Sequence, residues 1–279
     1  MAPPVPTEAS SPDSRRARPA RSLVRAILPI SGIAVLVVLW DVALRLPGSS
    51  SLLPRPFAVV RAIGELAQKG FLVKHVVASL FRVTWGYVGA VLVGVPLGIV
   101  LGWYRRGGMA IAPLLEVLRP ISPLAWIPIA ILWFGVGDVS AVFIIFLGAL
   151  FPITLTAMNA VRGVDLVHVN AGRNFGLRAP ELLRRVIYPA ILPQLLVGLR
   201  LSLGIAWLVV VAAEMIAVSS GLGFLIIDAR NAGNRYDLVV AGMVLIGVIG
   251  IALDALIRGL ERSKALAWGY TAIEDAANP

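Results

Sequence analysis

Six long apolar runs constrain what this chain can fold into more than any other feature: Val24–Leu44, Val88–Tyr104, Ala125–Phe134, Val139–Val161, Leu201–Val218 and Leu238–Leu256. A helix needs about 20 apolar residues to cross roughly 30 Å of hydrocarbon. The runs are continuous rather than alternating with period two, and most are too long for the roughly 10-residue strands of a membrane barrel. Composition agrees, since 58% of residues are hydrophobic and 14% charged, against about 45–50% and 25% in soluble domains. The expected fold is an all-α membrane protein with six transmembrane helices.

A net charge of +10 raises the question of nucleic acid, but most of the basic residues lie between the apolar runs, where the positive-inside rule accounts for them. With a cytoplasmic N-terminus, fifteen arginines and lysines fall inside and eight outside, leaving aside Arg119 and Arg200. No nucleic-acid partner is expected. The reading places both termini on the cytoplasmic side of the membrane, with the lipid bilayer as a partner.

Residues 1–22, rich in Pro, Ser, Ala and Arg, are expected to form a disordered cytoplasmic tail. Residues 23–46 form the first, uncleaved transmembrane helix, because Leu44-Arg45-Leu46-Pro47 is no small-residue cleavage site. Residues 47–74 are an external connection, with an amphipathic helix over Pro56–Leu66 that sets Arg61 and Glu65 four residues apart. The remaining spans occupy 75–258, including a cytoplasmic loop over 162–188, and 259–279 form a cytoplasmic tail.

Within the spans, Gly94, Gly98 and Gly102 repeat at four-residue spacing, a pattern that lets another helix approach closely, within the chain or across a dimer. In RPISPLAWIPIAILWF (119–134), prolines at 120, 123 and 128 interrupt the backbone. Such breaks line a pathway or mark a helix start, which makes Arg119, Ser122 and Trp126 candidates for a translocation path. Arg200 and Glu214 join them. They lie fourteen residues apart, about 21 Å along a helix, so they cannot pair directly. Arg200 offers a planar fork to an anion, or sits near the inner boundary and snorkels or pairs with a loop carboxylate. Glu214, followed by Ser219-Ser220-Gly221, forms an external gate, a docking contact or a helix-ending turn.

No catalytic site can be assembled. The chain lacks G-x-x-x-x-G-K-[ST], H-E-x-x-H and a nucleophile elbow. It has no cysteine, and His75 and His168 are too few for a metal site.

The most unusual stretch is HVNAGRNFGLRAPELLRRVIYPAILP (168–193), polar and Arg-rich in an apolar chain. Asp165 is placed to cap a helix over Leu166–Phe175, Gly176 to stop it in the left-handed region, and Ala179-Pro180-Glu181 to open a second helix. Pro189 and Pro193 fall where that second helix enters the membrane.

The spacing Asn170-Ala171-Gly172, three residues, Gly176, nine residues, Val186, one residue, Tyr188-Pro189 resembles the EAA loop of the permease subunits of binding-protein-dependent ABC importers. Asn170 stands for the family's acid, Gly172 for its second alanine and Tyr188 for its leucine. The runs LRPISPLAWIPIAILWFG (118–135) and VVAAEMIAVSSGLGFL (210–225) are similar to the branch that imports nitrate, taurine, alkanesulfonates or bicarbonate. The resemblance covers about residues 50–260.

It implies a type I ABC importer permease bundle, a homodimer with two cytoplasmic ATPase subunits and an external or periplasmic substrate-binding protein. No cofactor is expected on this chain, and ATP and Mg belong to the partner ATPase. The coupling residues implied are Asp165, His168, Asn170, Ala171, Gly172, Arg173, Phe175, Gly176 and Pro189, with Ala171, Gly172 and Gly176 allowing close approach of the ATPase. The competing expectation is an ion-coupled secondary transporter, which would need paired intramembrane acids and inverted repeats.

Overall fold

The structure, a computed structural model, describes residues 18–46, 53–231 and 233–261. Most of both expected tails and the start of the external connection lie outside the described residues. The described residues divide into two compact units, with the boundary between Val60 and Arg61. The first holds α1 (Arg18–Ala43), which carries the first apolar run and ends in an ion pair between Asp41 and Arg45. The amphipathic helix α2 (Pro56–Gln68) begins in the first unit and ends in the second.

The second unit is a helical bundle. The helix α3 (Phe71–Trp103) is followed by α4 (Arg105–Leu118), a 3-10 turn over Pro123–Trp126, and α5 (Ile127–Phe134). Next come α6 (Asp138–Arg162), α7 (Leu166–Asn174) and α8 (Ala179–Leu182). One π-helical turn (Leu183–Ile187) then leads into α9 (Tyr188–Ala217), and α10 (Leu222–Asn231) and α11 (Tyr236–Glu261) complete the described residues.

Four of these helical segments are long and apolar enough to cross a membrane by themselves: α3, α6, the continuous α8–α9 segment and α11. Two departures from the sequence reading have clear causes. The run Ala125–Phe134 does not make a span alone, because α5 has only 8 residues. It reaches spanning length only together with α4, at an 85° bend where Pro120 and Pro123 withhold backbone donors. The second span also begins at Phe71 rather than near Val88, so Lys74, expected in the external connection, joins His75 and Arg82 in a helix of 33 residues.

The most extensive helix contact is α3 against α6, and its basis is a stripe of small residues. A Cβ on Gly86 would come within 2.7 Å of the Ile145 side chain, on Gly94 within 3.0 Å of Ile153, and on Gly102 within 2.6 Å of Val161. On Gly98 it would collide with the Thr154 carbonyl oxygen. Ala90, between Gly86 and Gly94, is fully buried. Every fourth residue from 86 to 102 is therefore glycine or alanine, and the contact expected from the glycine spacing lies within the chain. In lipid, where apolar burial between helices contributes little, such close approach drives packing.

Helix α9 lies against the other side of α6, with the Gly198 backbone against Thr156 and the Gly148 backbone 3.1 Å, by its missing Cβ, from Val209. The core comprises Val83 and Ala90 of α3, Ile144, Ile145 and Ile153 of α6, and Ala206, Val210 and Ala213 of α9. Helix α11 is attached by Trp207 Nε1, which donates to the Ile246 carbonyl at 3.1 Å. Only 11% of its spanning window is buried, so most of its surface is available to lipid or another subunit.

Candidate functional site

The chain concentrates polar structure at the two ends of the bundle. At the far end, where α3 and α6 begin and α9 finishes, a charge network is enclosed. Arg82 is 2% exposed and Glu214 0%. Arg82 Nη1 donates to Glu214 Oε1 at 2.7 Å and to the Ser220 carbonyl at 2.8 Å, while its Nη2 donates to Ser220 Oγ. Its Nε reaches Asp138 Oδ1 at 2.8 Å, at the start of α6, where the helix dipole favours a carboxylate.

The second oxygen of Glu214 is also satisfied. Oε2 accepts from Ser79 Oγ at 2.9 Å and from the Gly223 backbone N–H at 2.9 Å. Ser79 Oγ in turn accepts from the Leu222 N–H at 2.9 Å, and His75 Nδ1 accepts from the Gly221 N–H at 3.1 Å. Gly221 has φ +108°, and a Cβ there would fall on the Glu214 carboxylate. The turn Ser219–Gly223 is thus wrapped around a buried carboxylate, and only glycine fits at its closest point.

Glu214 consequently presents no surface to a solute or a docking protein in this structure; it ties α3, α9 and the turn before α10 together. Arg82, the other half of the pair, escaped the sequence reading, which began the second apolar run at Val88 and singled out no residue before it in that span. A signal was available: His75, Ser79, Arg82 and Gly86 fall on one helical face that continues through Ala90, Gly94 and Gly98, all buried. A polar face in register with a small-residue face marks a helix extending past its apolar run.

At the opposite end, α7 and α8 form the corner expected from the sequence. Asp165 Oδ1 accepts from the Val167 N–H at 2.9 Å, capping α7, and Gly176 has φ +76°, the left-handed stop. The Glu181 carboxylate accepts from the Arg178 N–H at 3.3 Å, steadying the first turn of α8. Gly172 takes a role inside the corner rather than at a docking surface. A Cβ on it would lie 2.5 Å from Leu182, so its missing side chain lets α8 pack on α7.

The remaining positions of α7 divide into two faces. Val167, His168, Ala171 and Phe175 are exposed on one side, Val167 at 69% and Phe175 at 87%. Leu166, Val169 and Arg173 lie on the other, where they line a cavity of about 740 Å³ beneath the span ends. Asn170 is exposed beside Ala171. Pro189 is the second residue of α9, separated from the π turn Leu183–Ile187 by Tyr188. Proline cannot donate to the carbonyl four residues back and its ring crowds that carbonyl, and one wide turn is a common accommodation.

The other path candidates are dispersed. Arg119 is exposed at the bend between α4 and the 3-10 turn. Ser122 caps that turn, its Oγ accepting from the Leu124 N–H at 3.3 Å, and Trp126 is half-buried against the main core. Arg200 Nε lies 3.5 Å from Asp254 Oδ1 on α11, so of its two expected roles the ion pair is present, with a carboxylate in a span. A cavity of about 60 Å³ beside them is lined by Gly204, Trp207 and Gly250, too small for more than a water or two.

Comparison with known proteins agrees with these features. Residues 94–265 match the family model for the binding-protein-dependent transport system inner membrane component. A putative ABC transporter permease protein of Methanocaldococcus jannaschii is 40% identical, over 87% of this chain and 92% of its own. A putative aliphatic sulfonates transport permease protein of Bacillus subtilis is 38% identical, over 84% and 85%. A taurine transport system permease protein of Escherichia coli is 36% identical, over 84% and 87%. The fold resembles a chain of the MetNI methionine ABC transporter, with a TM-score of 0.54 at 19% identity, over 77% of this chain and all of that one.

Membership of this family disfavours the ion-coupled transporter and implies an ATPase and a substrate-binding protein as partners. This chain is a permease subunit of a binding-protein-dependent ABC importer, in the branch whose members are named for sulfonate, taurine, nitrate and bicarbonate transport.

Proposed function

We propose that two copies of this chain form the transmembrane pathway of an importer for a small anion of the sulfonate, nitrate or bicarbonate type, driven by two ATPase subunits that dock on α7 from the cytoplasm. The observation that carries this reading is the outward face of α7. Val167, Ala171 and Phe175, with His168 between them, project an apolar ridge away from the bundle. In an otherwise polar loop, such a ridge fits a groove on a partner. With that end cytoplasmic, both chain termini are cytoplasmic as well.

The docking depends on shape more than charge. Asn170 offers a neutral hydrogen bond where an acid would give one roughly twice as strong. Phe175 supplies the largest exposed apolar side chain on α7, and Gly176 fixes the corner that presents it. ATP-driven closure of the ATPase dimer then moves the two docked corners as rigid elements and tilts the spans, exposing the pathway to one side of the membrane at a time. ATP and Mg are held by the ATPase and do not touch this chain's own residues. Arg200, held by Asp254 of α11 in this structure, is the side chain proposed to meet the anion when the moving spans draw that pair apart.

The absence of cysteine makes a clean test possible. Phe175→Cys and Ala171→Cys, co-expressed with the ATPase carrying single cysteines in its groove, are expected to form disulfide cross-links at those positions and nowhere else on the chain. Proteoliposomes containing permease, ATPase and binding protein should take up taurine, an alkanesulfonate, nitrate or bicarbonate only with ATP. Uptake by the chain alone without ATP would overturn the reading.

A further inference from the structure

We infer that the cavity between α7 and the span ends is a binding site for the phosphate headgroup of an anionic phospholipid of the inner leaflet. The inference rests on the orientation proposed above. The cavity, about 740 Å³, falls in the range of small-molecule sites. Its walls divide by chemistry. Arg162, in the last turn of α6, and Arg173, in the last turn of α7, supply two guanidinium groups, while Met109, Val161, Val164 and Ile187 supply an apolar side.

Position distinguishes this cavity from an ordinary basic surface. Trp103 lines it at the end of the α3 span, the depth at which tryptophan collects at membrane interfaces. Arg162 ends the α6 span, and a Cβ on Gly108 would touch its Nη2, so α4 passes directly over this guanidinium. Among the described residues no ion pair is formed by either Arg162 or Arg173. Asp165, the nearest carboxylate in sequence, caps α7 through its Oδ1 and forms no ion pair with either arginine among the described residues. Two unneutralised arginines at headgroup depth beside an apolar wall match a phosphodiester attached to acyl chains, and basic pockets between cytoplasmic span ends bind such headgroups.

The two faces of α7 then have separate partners. The ridge Val167–Ala171–Phe175 faces the ATPase, and Leu166, Val169 and Arg173 face the lipid. A bound headgroup would bridge α6 and α7, stiffening the attachment of the docking corner to its span.

The full chain, purified with its ATPase, is tested by native mass spectrometry with added phosphatidylglycerol, phosphatidylcholine or inorganic phosphate. The expected result is at least a tenfold preference for phosphatidylglycerol over phosphatidylcholine, lost in Arg162→Gln/Arg173→Gln and kept in Arg162→Lys/Arg173→Lys. Should the glutamine variant not assemble, a photoreactive phosphatidylglycerol on the unaltered protein decides the matter, with labelling expected in the peptides around residues 103–109 and 161–173. Equal binding of the two lipids, labelling elsewhere, or displacement by equimolar inorganic phosphate would overturn the lipid site. Failure of the transport reading appears instead as ATP-independent uptake, which this binding assay does not measure.

Discussion

The two ends of the bundle use polar residues in opposite ways. At the far end, Arg82 and Glu214 are drawn out of solvent and satisfied by Ser79, Ser220, the Gly223 N–H and the exposed carboxylate of Asp138. At the loop end, apolar side chains are pushed outward, Phe175 most of all. A buried ion pair costs desolvation and is weak evidence for stability in itself, yet removing one partner is severe. An exposed apolar ridge contributes little to the isolated fold but much to association. The far end is therefore a point of internal fixation, and the loop end carries the surface proposed for attachment of the ATPase.

The largest expected effect breaks the far end. Glu214→Ala leaves a buried guanidinium without its main partner and should destabilise the subunit by about 3–5 kcal/mol, seen as a lowered thermal midpoint in detergent. The paired change Arg82→Met/Glu214→Leu should recover much of this loss. If Glu214→Ala alone unfolds at the unaltered temperature, the network has no structural role.

The next effect is at the seam between the helices. Gly98→Val sets a side chain against the Thr154 backbone and should cost about 1–3 kcal/mol or more. Gly204→Ala, where no atom lies within 4 Å of the added Cβ, serves as its control and should be nearly neutral in the same melting experiment.

At the loop end, the effects separate stability from transport. Gly176→Val is strained at φ +76° by about 1–3 kcal/mol, but nothing crowds the added Cβ. The strain falls on the corner, so ATP-dependent uptake should fall at least tenfold while the span melting temperature changes by only a few degrees. Uptake in Gly176→Val equal to that of the unaltered protein would remove the corner from the coupling mechanism.

The smallest effect concerns Glu65 on α2. Hydrogen bonds from Arg235 and Lys69 hold its carboxyl at about 2, below an ordinary 4.5, and Arg235 is correspondingly raised. Because the folded value is depressed, the stabilisation is complete above pH 4.5 and is lost as pH falls toward 2. Glu65→Gln should flatten the pH dependence of stability across that window. The pair is largely solvated, so the change in midpoint is expected to be small.

Much of the molecule was legible wherever the information is local. The Gly94-Gly98-Gly102 spacing announced a close helix contact, and Asp165, Gly176 and Pro180 announced the corner, because caps, left-handed glycines and helical periods are written within a few residues. Glu65 was legible only in part. It was expected beside Arg61, but its carboxylate is taken by Lys69 and by Arg235, far along the chain. Arg82 and Glu214 are separated by 132 residues, and hydropathy began the second apolar run at Val88 because His75, Ser79 and Arg82 lowered the apolar character of the first half of α3. The bend between α4 and α5 was visible as prolines but not as an 85° angle, which depends on packing against the 3-10 turn and α6.

The small-residue stripe from Gly86 to Gly102 has a bearing on permeation. With glycine or alanine at every fourth position and α6 backbone or side chains in direct contact along its length, the joint between α3 and α6 is sealed to water and to any solute. A passing solute must therefore travel along other surfaces of these helices, and the joined pair acts as a solid wall of whatever channel the assembled transporter opens.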